Sequence, residues 1–509
     1  MPVRFSPEWL SRRSSPSTQC HGASPSTQCH GASPSTQCHG ASTASFRGGA
    51  LVAFLALALA PPVTIAQDVT PASAKPAVKT RVITRVFIQS TGDASLRYAD
   101  LLATEPPTLT PPQRVEGFPE LDPARQSLVQ MATASGKLMV GVRDDEDGEY
   151  QSGWVLIDCG VDEEEHGDHS HWYYNRKPSV LAKRLDDQQG NPAHLYCYDG
   201  VFYLANDRNG GFTRLDPAAI PAAAGEELIR AMAAFHPGGG GHITLAAAGK
   251  VVYATRMGRD DEGRKIDVTP ISASGPAAIA YTISANSAGL HGATYESGKV
   301  FFAPSEGIDW LQVPESPQYE QPPTKLGHLD LGSHNETPNR TGSFANHAGH
   351  VLFVSGKESA TFLGVIDARG ATPSLGKVEL SVAEGSRASG PKIIRPRGRA
   401  PLAVIFHDRP ATTDAPDVAT IVNLDRDLDG RFDDAVIERQ IDVGASAVQG
   451  HGGHHDLAAD ASSRFVIVTN PGDASYQLFE TENFASLASG ELGFTPGHAV
   501  AVGGRGPIR

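Results

Sequence analysis

Short apolar runs cut by Gly, Asp and Asn set the rhythm of the chain from residue 81 onward. Runs rich in Val, Ile and Phe at 82–88, 251–255, 300–303, 351–354, 362–366 and 465–469 read as β-strands. Helical periodicity is scarce, with 222–234 the main candidate. The runs also repeat as a unit. A small residue or Pro, often followed by His, precedes a strand, a tight turn and a second, strongly apolar strand. The unit occurs at Pro192-Ala193-His194 before 201–205, at Gly241-His242 before 251–255 and at Leu290-His291 before 300–303. It continues at Asn346-His347 before 351–354, at His455 before 465–469 and at Gly497-His498 before 499–502. Residues 127–142 and 399–406 have the same strand pattern without a leading His. Spacings of roughly 43 to 67 residues are those of propeller blades.

The pattern therefore predicts an all-β fold, a β-propeller of eight blades, with seven as the alternative. Inner strands are expected near 127, 194, 242, 291, 347, 400, 455 and 498. The last lies too close to the C-terminus to build its own blade. The strands at 82–103 can complete it, so the N- and C-terminal strands are expected to close the ring. Residues 304–345 read as a long loop.

Ahead of the repeat lies text of another kind. Residues 15–41 are three copies of Ser-Pro-Ser-Thr-Gln-Cys-His-Gly-Ala, and 1–45 is expected to be an unstructured leader. Three Cys-His pairs could form a metal tract, but a tandem duplication, or sequence upstream of the true start, is the simpler reading. Arg47, an apolar run at 50–60 and Thr64-Ile65-Ala66 make 46–66 a secretory signal peptide, too short to span a membrane. Residues 67–80, rich in Pro, Ala, Thr and Lys, read as a flexible leader, and 81–509 as a single propeller domain. The mature chain is expected in the periplasm, as a monomer, with no membrane insertion after cleavage. The leader holds three of the five Cys. In an oxidising compartment the remaining two, Cys159 and Cys197, suggest one disulfide, the alternative being two buried thiols.

Composition sharpens this picture. Gly and Pro number 53 and 37, which suits a turn-rich β protein and not a helical bundle. The chain carries a net charge of −14, and the residues after Ala66 carry −17. Such a balance argues against a nucleic-acid partner, because little would neutralise phosphates, and it is compatible with cations.

Candidate chemistry centres on His. Inner strands line a propeller's channel, so His194, His242, His291, His347, His455 and His498 are expected to converge near one end of it. A lone His in such a place more often caps a strand. Several in register suggest a Zn²⁺ site, which needs three or four N or O donors. A second constellation, Glu163-Glu164-Glu165-His166-Gly167-Asp168-His169-Ser170-His171, reads as a mobile loop able to wrap a cation, against the alternative of a solvated acidic loop. At His451-Gly452-Gly453-His454-His455-Asp456 the alternating directions of strand residues keep His454 and His455 from sharing one ion. Asp425, Asp427 and Asp429 followed by Gly430 copy the start of a Ca²⁺ loop, but Val436 replaces the bidentate Glu, so a simple Ca²⁺ turn and a plain acidic hairpin stay open. There is no nucleophile elbow, Walker loop or zincin helix motif.

These residues resemble a known family. Val155-Leu156-Ile157-Asp158, then Glu164-Glu165-His166-Gly167-Asp168-His169, then Pro192-Ala193-His194, then Leu290-His291-Gly292 follow in an order similar to the AztD-type periplasmic zinc metallochaperones. The resemblance implies a secreted propeller that binds Zn²⁺ and passes it to the solute-binding protein of a zinc ABC importer. It places His166, Asp168 and His169 in the family's loop, and His194 and His291 on its two His strands. Ala293 stands where the family has Glu, and a Cys that often precedes that motif is absent. The resulting expectation is a non-catalytic Zn²⁺ carrier using His166, Asp168, His169, His171, His194, His242, His291 and His455, with the 163–171 loop close to the channel site. A propeller hydrolase or lactonase with a channel-mouth cation, and a propeller that only binds proteins, are the alternatives.

Overall fold

The computed structural model describes residues 81–144, 151–167, 169–272, 275–276, 278–314, 323, 325–409, 416–450 and 452–504. The expected leader and signal peptide, residues 67–80 and His451 lie outside them.

The described strands form eight antiparallel blades in a ring. Numbered from the N-terminus, blade 1 holds Pro496–Val502, Val82–Ser90 and Ser95–Leu102, from the channel outward, with two short edge strands. Blade 2 starts on Gln126–Ala134, blade 3 on Leu195–Tyr198, blade 4 on Leu245–Ala248 and blade 5 on Ala293–Glu296. Blade 6 starts on Ala345–His347, blade 7 on Arg387–Ala388 with Lys392–Ile394, and blade 8 on Asp456–Ala459. In blade 1 the two ends of the chain meet. Phe87 lies opposite Val500, and the Thr84 hydroxyl donates to the Val502 carbonyl at 3.1 Å. The expected closure is therefore present.

The uniformly apolar second strands follow from their position. Each is covered on both faces by neighbouring blades, and alternate side chains feed different cores. In Val201–Asn206, Phe202 and Leu204 pack with Met139, Trp154 and Leu156 of blade 2. Tyr203 and Ala205 pack with Leu245 and Val252 of blade 4. Each large side chain so buried contributes about 1.5–3 kcal/mol. Outer strands are covered less, and Ser374–Glu379 accordingly alternates between half-buried and exposed positions.

Three expectations need correction. Blade 7 does not start near 400. The apolar run there is its second strand, Leu402–Asp408, whereas its inner strand is two short pieces interrupted around Gly390-Pro391. Proline has no N–H to give to a ladder, so the interruption hid this strand from a search for apolar runs. Residues 304–345 are not one loop. They contain the outer strands of blade 5, Ile308–Gln312 and Gly327–Leu329, and a small hairpin of Ser333–His334 with Thr337–Pro338. Finally, Cys159 and Cys197 are free thiols and form no disulfide. Cys159 is sealed in the core between blades 1 and 2, and burial pushes its thiol pKa well up. Cys197 sits exposed in the inner strand of blade 3.

The helical candidate is the seven-residue helix Glu226–Met232. Its Arg230 guanidinium donates to the Lys183 carbonyl at 2.8 Å on the outer strand of blade 2. No helix among the described residues is long and apolar enough to cross a membrane.

Candidate metal centre

All inner strands begin at one end of the channel, and the residues just before them come from the connections that lead into each blade. His194, His242 and His291 occupy these places in three successive blades, one to three residues ahead of Leu195, Leu245 and Ala293. Blade geometry thus converts a spacing of roughly fifty residues into contact. One nitrogen from each ring lies within 4.8 Å of one from each of the others. The ring centroids of His194 and His242 are 4.5 Å apart, those of His242 and His291 5.2 Å, and those of His194 and His291 6.0 Å.

Each ring is held in its own way. His242 Nδ1 donates to Asp207 Oδ2 at 3.0 Å, and Asp207 Oδ1 accepts the Ile243 N–H at 3.0 Å. With Nδ1 carrying the proton, the neutral ring turns the Nε2 lone pair toward the other imidazoles. His194 is wired in the opposite sense. Gln130 Oε1 accepts the Leu195 N–H at 2.8 Å, which fixes the amide nitrogen 3.1 Å from His194 Nδ1. The neutral His194 ring then carries its proton on Nε2 and donates to His242 Nε2 at 2.8 Å. His291 donates its backbone N–H to Ala303 at 2.9 Å, and its ring lies against Gly342, where an added Cβ would come within 3.1 Å of Nδ1. Burial, and then the neighbouring His242, push the His291 pKa below its ordinary value, so this ring is neutral and its nitrogens can act as ligands. Three imidazoles this close together can serve as ligands to one metal ion.

The other members of the His series are elsewhere. His347 is the last residue of its inner strand, not a residue ahead of it, and so lies at the far end of the channel. It stacks on Phe432 with the rings 6.1 Å apart. His498 Nδ1 is 3.0 Å from Asp456 Oδ2. His455 is fully buried between blades 7 and 8, beside Asp417 at 3.1 Å, and does not join the three-His group.

The 163–171 segment is a hairpin with defined strands, Asp162–Glu165 paired with Ser170–Tyr173, and not the irregular loop expected from its sequence. At its tip the rings of His166, His169 and His171 cluster with centroids 4.9–5.5 Å apart. His169 Nε2 is 3.1 Å from His171 Nε2. Asp168 lies outside the described residues. The hairpin joins the third strand of blade 2 to its fourth, a connection made at the opposite end of the channel from the three-His group. Its base is pinned there. Arg85, which pairs with Val502 at the end of the closing strand, donates to the Cys159 and Arg176 carbonyls at 2.9 and 2.7 Å. The expectation that this segment hangs beside the channel site is therefore corrected.

The acidic turn of blade 7 brings together Asp425, Asp427 and Asp434. Asp429 instead takes the Arg431 guanidinium at 2.8 Å. Sequence reasoning missed Asp207 and Gln130, and in the acidic run that ends at Asp434 it expected Asp429 where Asp434 joins the cluster. An acid at or just after the end of an apolar second strand recurs at Asp144, Asp207 and Asp408, and that recurrence was the available signal for Asp207.

Fold and site together define an eight-bladed propeller with a cluster of imidazoles at one channel mouth. No family model matches the chain, and no curated protein matches it. The crystal structure of Citrobacter koseri AztD superposes with a TM-score of 0.57 at 14% identity, covering 84% of this chain and 100% of that one. The structure of apo AztD from Citrobacter koseri gives 0.55 at 13% identity, with the same coverage. The chain thus has an AztD-type propeller fold.

Proposed function

We propose that the protein is a periplasmic carrier that holds Zn²⁺ at His194, His242 and His291 and passes it to the solute-binding protein of a zinc ABC importer. The observation that carries this reading is the convergence of three imidazoles from three successive blades, one of them oriented by a carboxylate. A carboxylate behind a His ligand fixes its tautomer and raises its basicity.

The wiring suits a cargo that must leave. His242 offers its Nε2 lone pair directly. His194 has to give up its Nε2 proton before that nitrogen can ligate, and Gln130 opposes moving the proton to Nδ1. Loading therefore shifts that proton to Nδ1 at the cost of the Gln130 contact, which keeps the grip on the ion loose, and protonation of His194 favours release. The open fourth position lets an acceptor's ligand join before the chaperone's ligands depart, so the ion never becomes free aqua-Zn²⁺. The hairpin, with His166, Asp168, His169 and His171, is a second cation contact at the other end of the channel and captures ions independently.

The test is a Zn²⁺ titration of the full chain against a competing chelator. His194→Ala combined with His291→Ala is expected to weaken the tightest site at least a hundredfold. Unchanged tight binding in this folded variant would overturn the reading.

A further inference from the structure

Half a turn around the ring from the three-His group, another cluster is buried between blades 7 and 8. Asp408 ends the second strand of blade 7, Asp417 precedes its third strand, and His455 immediately precedes the inner strand of blade 8. All three are buried, with Asp408 and Asp417 each 1% exposed, and one ligand atom from each lies within 4.8 Å of the others.

The hydrogen bonds leave a gap that a cation fits. His455 Nδ1 donates to the Thr469 carbonyl at 3.0 Å, so that nitrogen holds a proton. Nε2 then faces Asp417 Oδ2 at 3.1 Å. A neutral ring in this tautomer would set a lone pair against a carboxylate oxygen. Either Nε2 carries a second proton or a cation stands between them. Asp417 Oδ2 also accepts the Ser446 N–H at 2.8 Å, and Asp408 Oδ2 faces His454 Nδ1 at 2.7 Å. Among the described residues Asp408 Oδ1 and Asp417 Oδ1 are buried without a hydrogen-bond partner, and Arg409 Nε lies 3.6 Å from the latter. A second proton on His455 satisfies Nε2 but leaves both Oδ1 atoms orphaned, and buried carboxylate oxygens are costly to leave so.

We propose that Asp408, Asp417 and His455 form a second divalent-cation site, separate from the cargo site, that ties blade 7 to blade 8. One imidazole and two carboxylates make a mixed N/O set suited to a first-row dication of the Zn²⁺ or Mn²⁺ type and unsuited to Cu⁺, which prefers sulfur. Binding replaces the proton on His455 Nε2 and gives both orphaned oxygens a partner. Because the ligands come from two blades, the ion acts on stability, whereas the half-buried rings of the cargo site act on exchange.

Zn²⁺ alone is the probe, applied to the full chain carrying Ala at His166, His169, His171, His194 and His291. This background is expected to retain about one ion per chain after dialysis, and Zn²⁺ is expected to raise its melting temperature by several degrees. Adding Asp417→Asn should abolish both effects while circular dichroism stays that of a β protein. Asp408→Asn serves the same purpose should Asp417→Asn fail to fold. The proposal is overturned if the background retains no ion, or if the ion survives both substitutions.

Discussion

Two arcs of the ring, blades 3–5 and blades 7–8, use the same parts to different ends. In each, an acid at the end of a second strand reaches a His ahead of the next blade's inner strand. Asp207 meets His242 at 3.0 Å, and four blades later Asp408 meets His454 at 2.7 Å. In blades 3–5 the neighbours of that His are two further imidazoles, and nitrogens face nitrogens. In blades 7–8 and the adjoining blade 1 three described imidazoles at this end each face a carboxylate: His454 with Asp408, His455 with Asp417, His498 with Asp456. Asp456 also pairs with Lys392 at 2.6 Å, and Lys392 and His498 help hold its carboxyl well below the usual range against the opposing effect of burial. Rings turned toward one another make a soft, half-exposed donor set from which an ion can leave. Rings tied to buried carboxylates make an anchored network. The repeat supplies the scaffold, and the identity of one neighbour decides what the scaffold does.

The substitution expected to disturb this comparison most is Asp207→Asn. It leaves the acceptor for the Ile243 N–H but removes the charge behind His242, and loss of such an orienting carboxylate typically costs 10–100-fold in metal affinity. A chelator-competition titration should show that loss in blades 3–5. Asp456→Asn, which removes a carboxylate facing an imidazole on the other arc, should leave Zn²⁺ affinity at the three-His group unchanged. Equal losses from both variants would show that the two arcs are not separate devices.

How far the sequence foretold this arrangement depended on what each residue's neighbours were. Apolar second strands are legible because both faces are buried, which forces runs such as Val251–Thr255. Blade count, ring closure and the places of His194, His242 and His291 followed from the repeat of those runs. The inner strand of blade 7 was not legible because it is split into pieces of two and three residues around Pro391. The register of His347 was misread because it sits at the turn, paired with His350 at the start of the second strand, whereas His194, His242 and His291 lie several residues further ahead of theirs. Partners such as Gln130 and Asp207 lie 64 and 35 positions from their imidazoles, and only the folded ring shows the pairing.

A smaller effect, of the opposite sign, is expected from Gln130→Glu. The new carboxylate can accept the Leu195 N–H with one oxygen and a His194 Nδ1 proton with the other, so His194 Nε2 becomes free to ligate. Affinity for Zn²⁺ should rise about tenfold, or about 1.4 kcal/mol. Transfer to a chelating acceptor should slow. Unchanged affinity would show that His194 is no ligand, whatever its distance from His242.

The smallest effect on the three-His group is expected from the hairpin. Changing His166, His169 and His171 together to Ala removes an imidazole cluster whose centroids lie only 4.9–5.5 Å apart, and a weaker class of Zn²⁺ sites should vanish with it. The tight site should keep its affinity, because the hairpin leaves blade 2 at the far end of the channel. The rate at which the tight site loads from dilute Zn²⁺ should also stay the same within about twofold, since exposed charges separated by more than a Debye length of about 8–10 Å are largely screened. A severalfold slower loading would mean that ions travel from the hairpin through the channel to the mouth. The two ends would then be successive stations on one path.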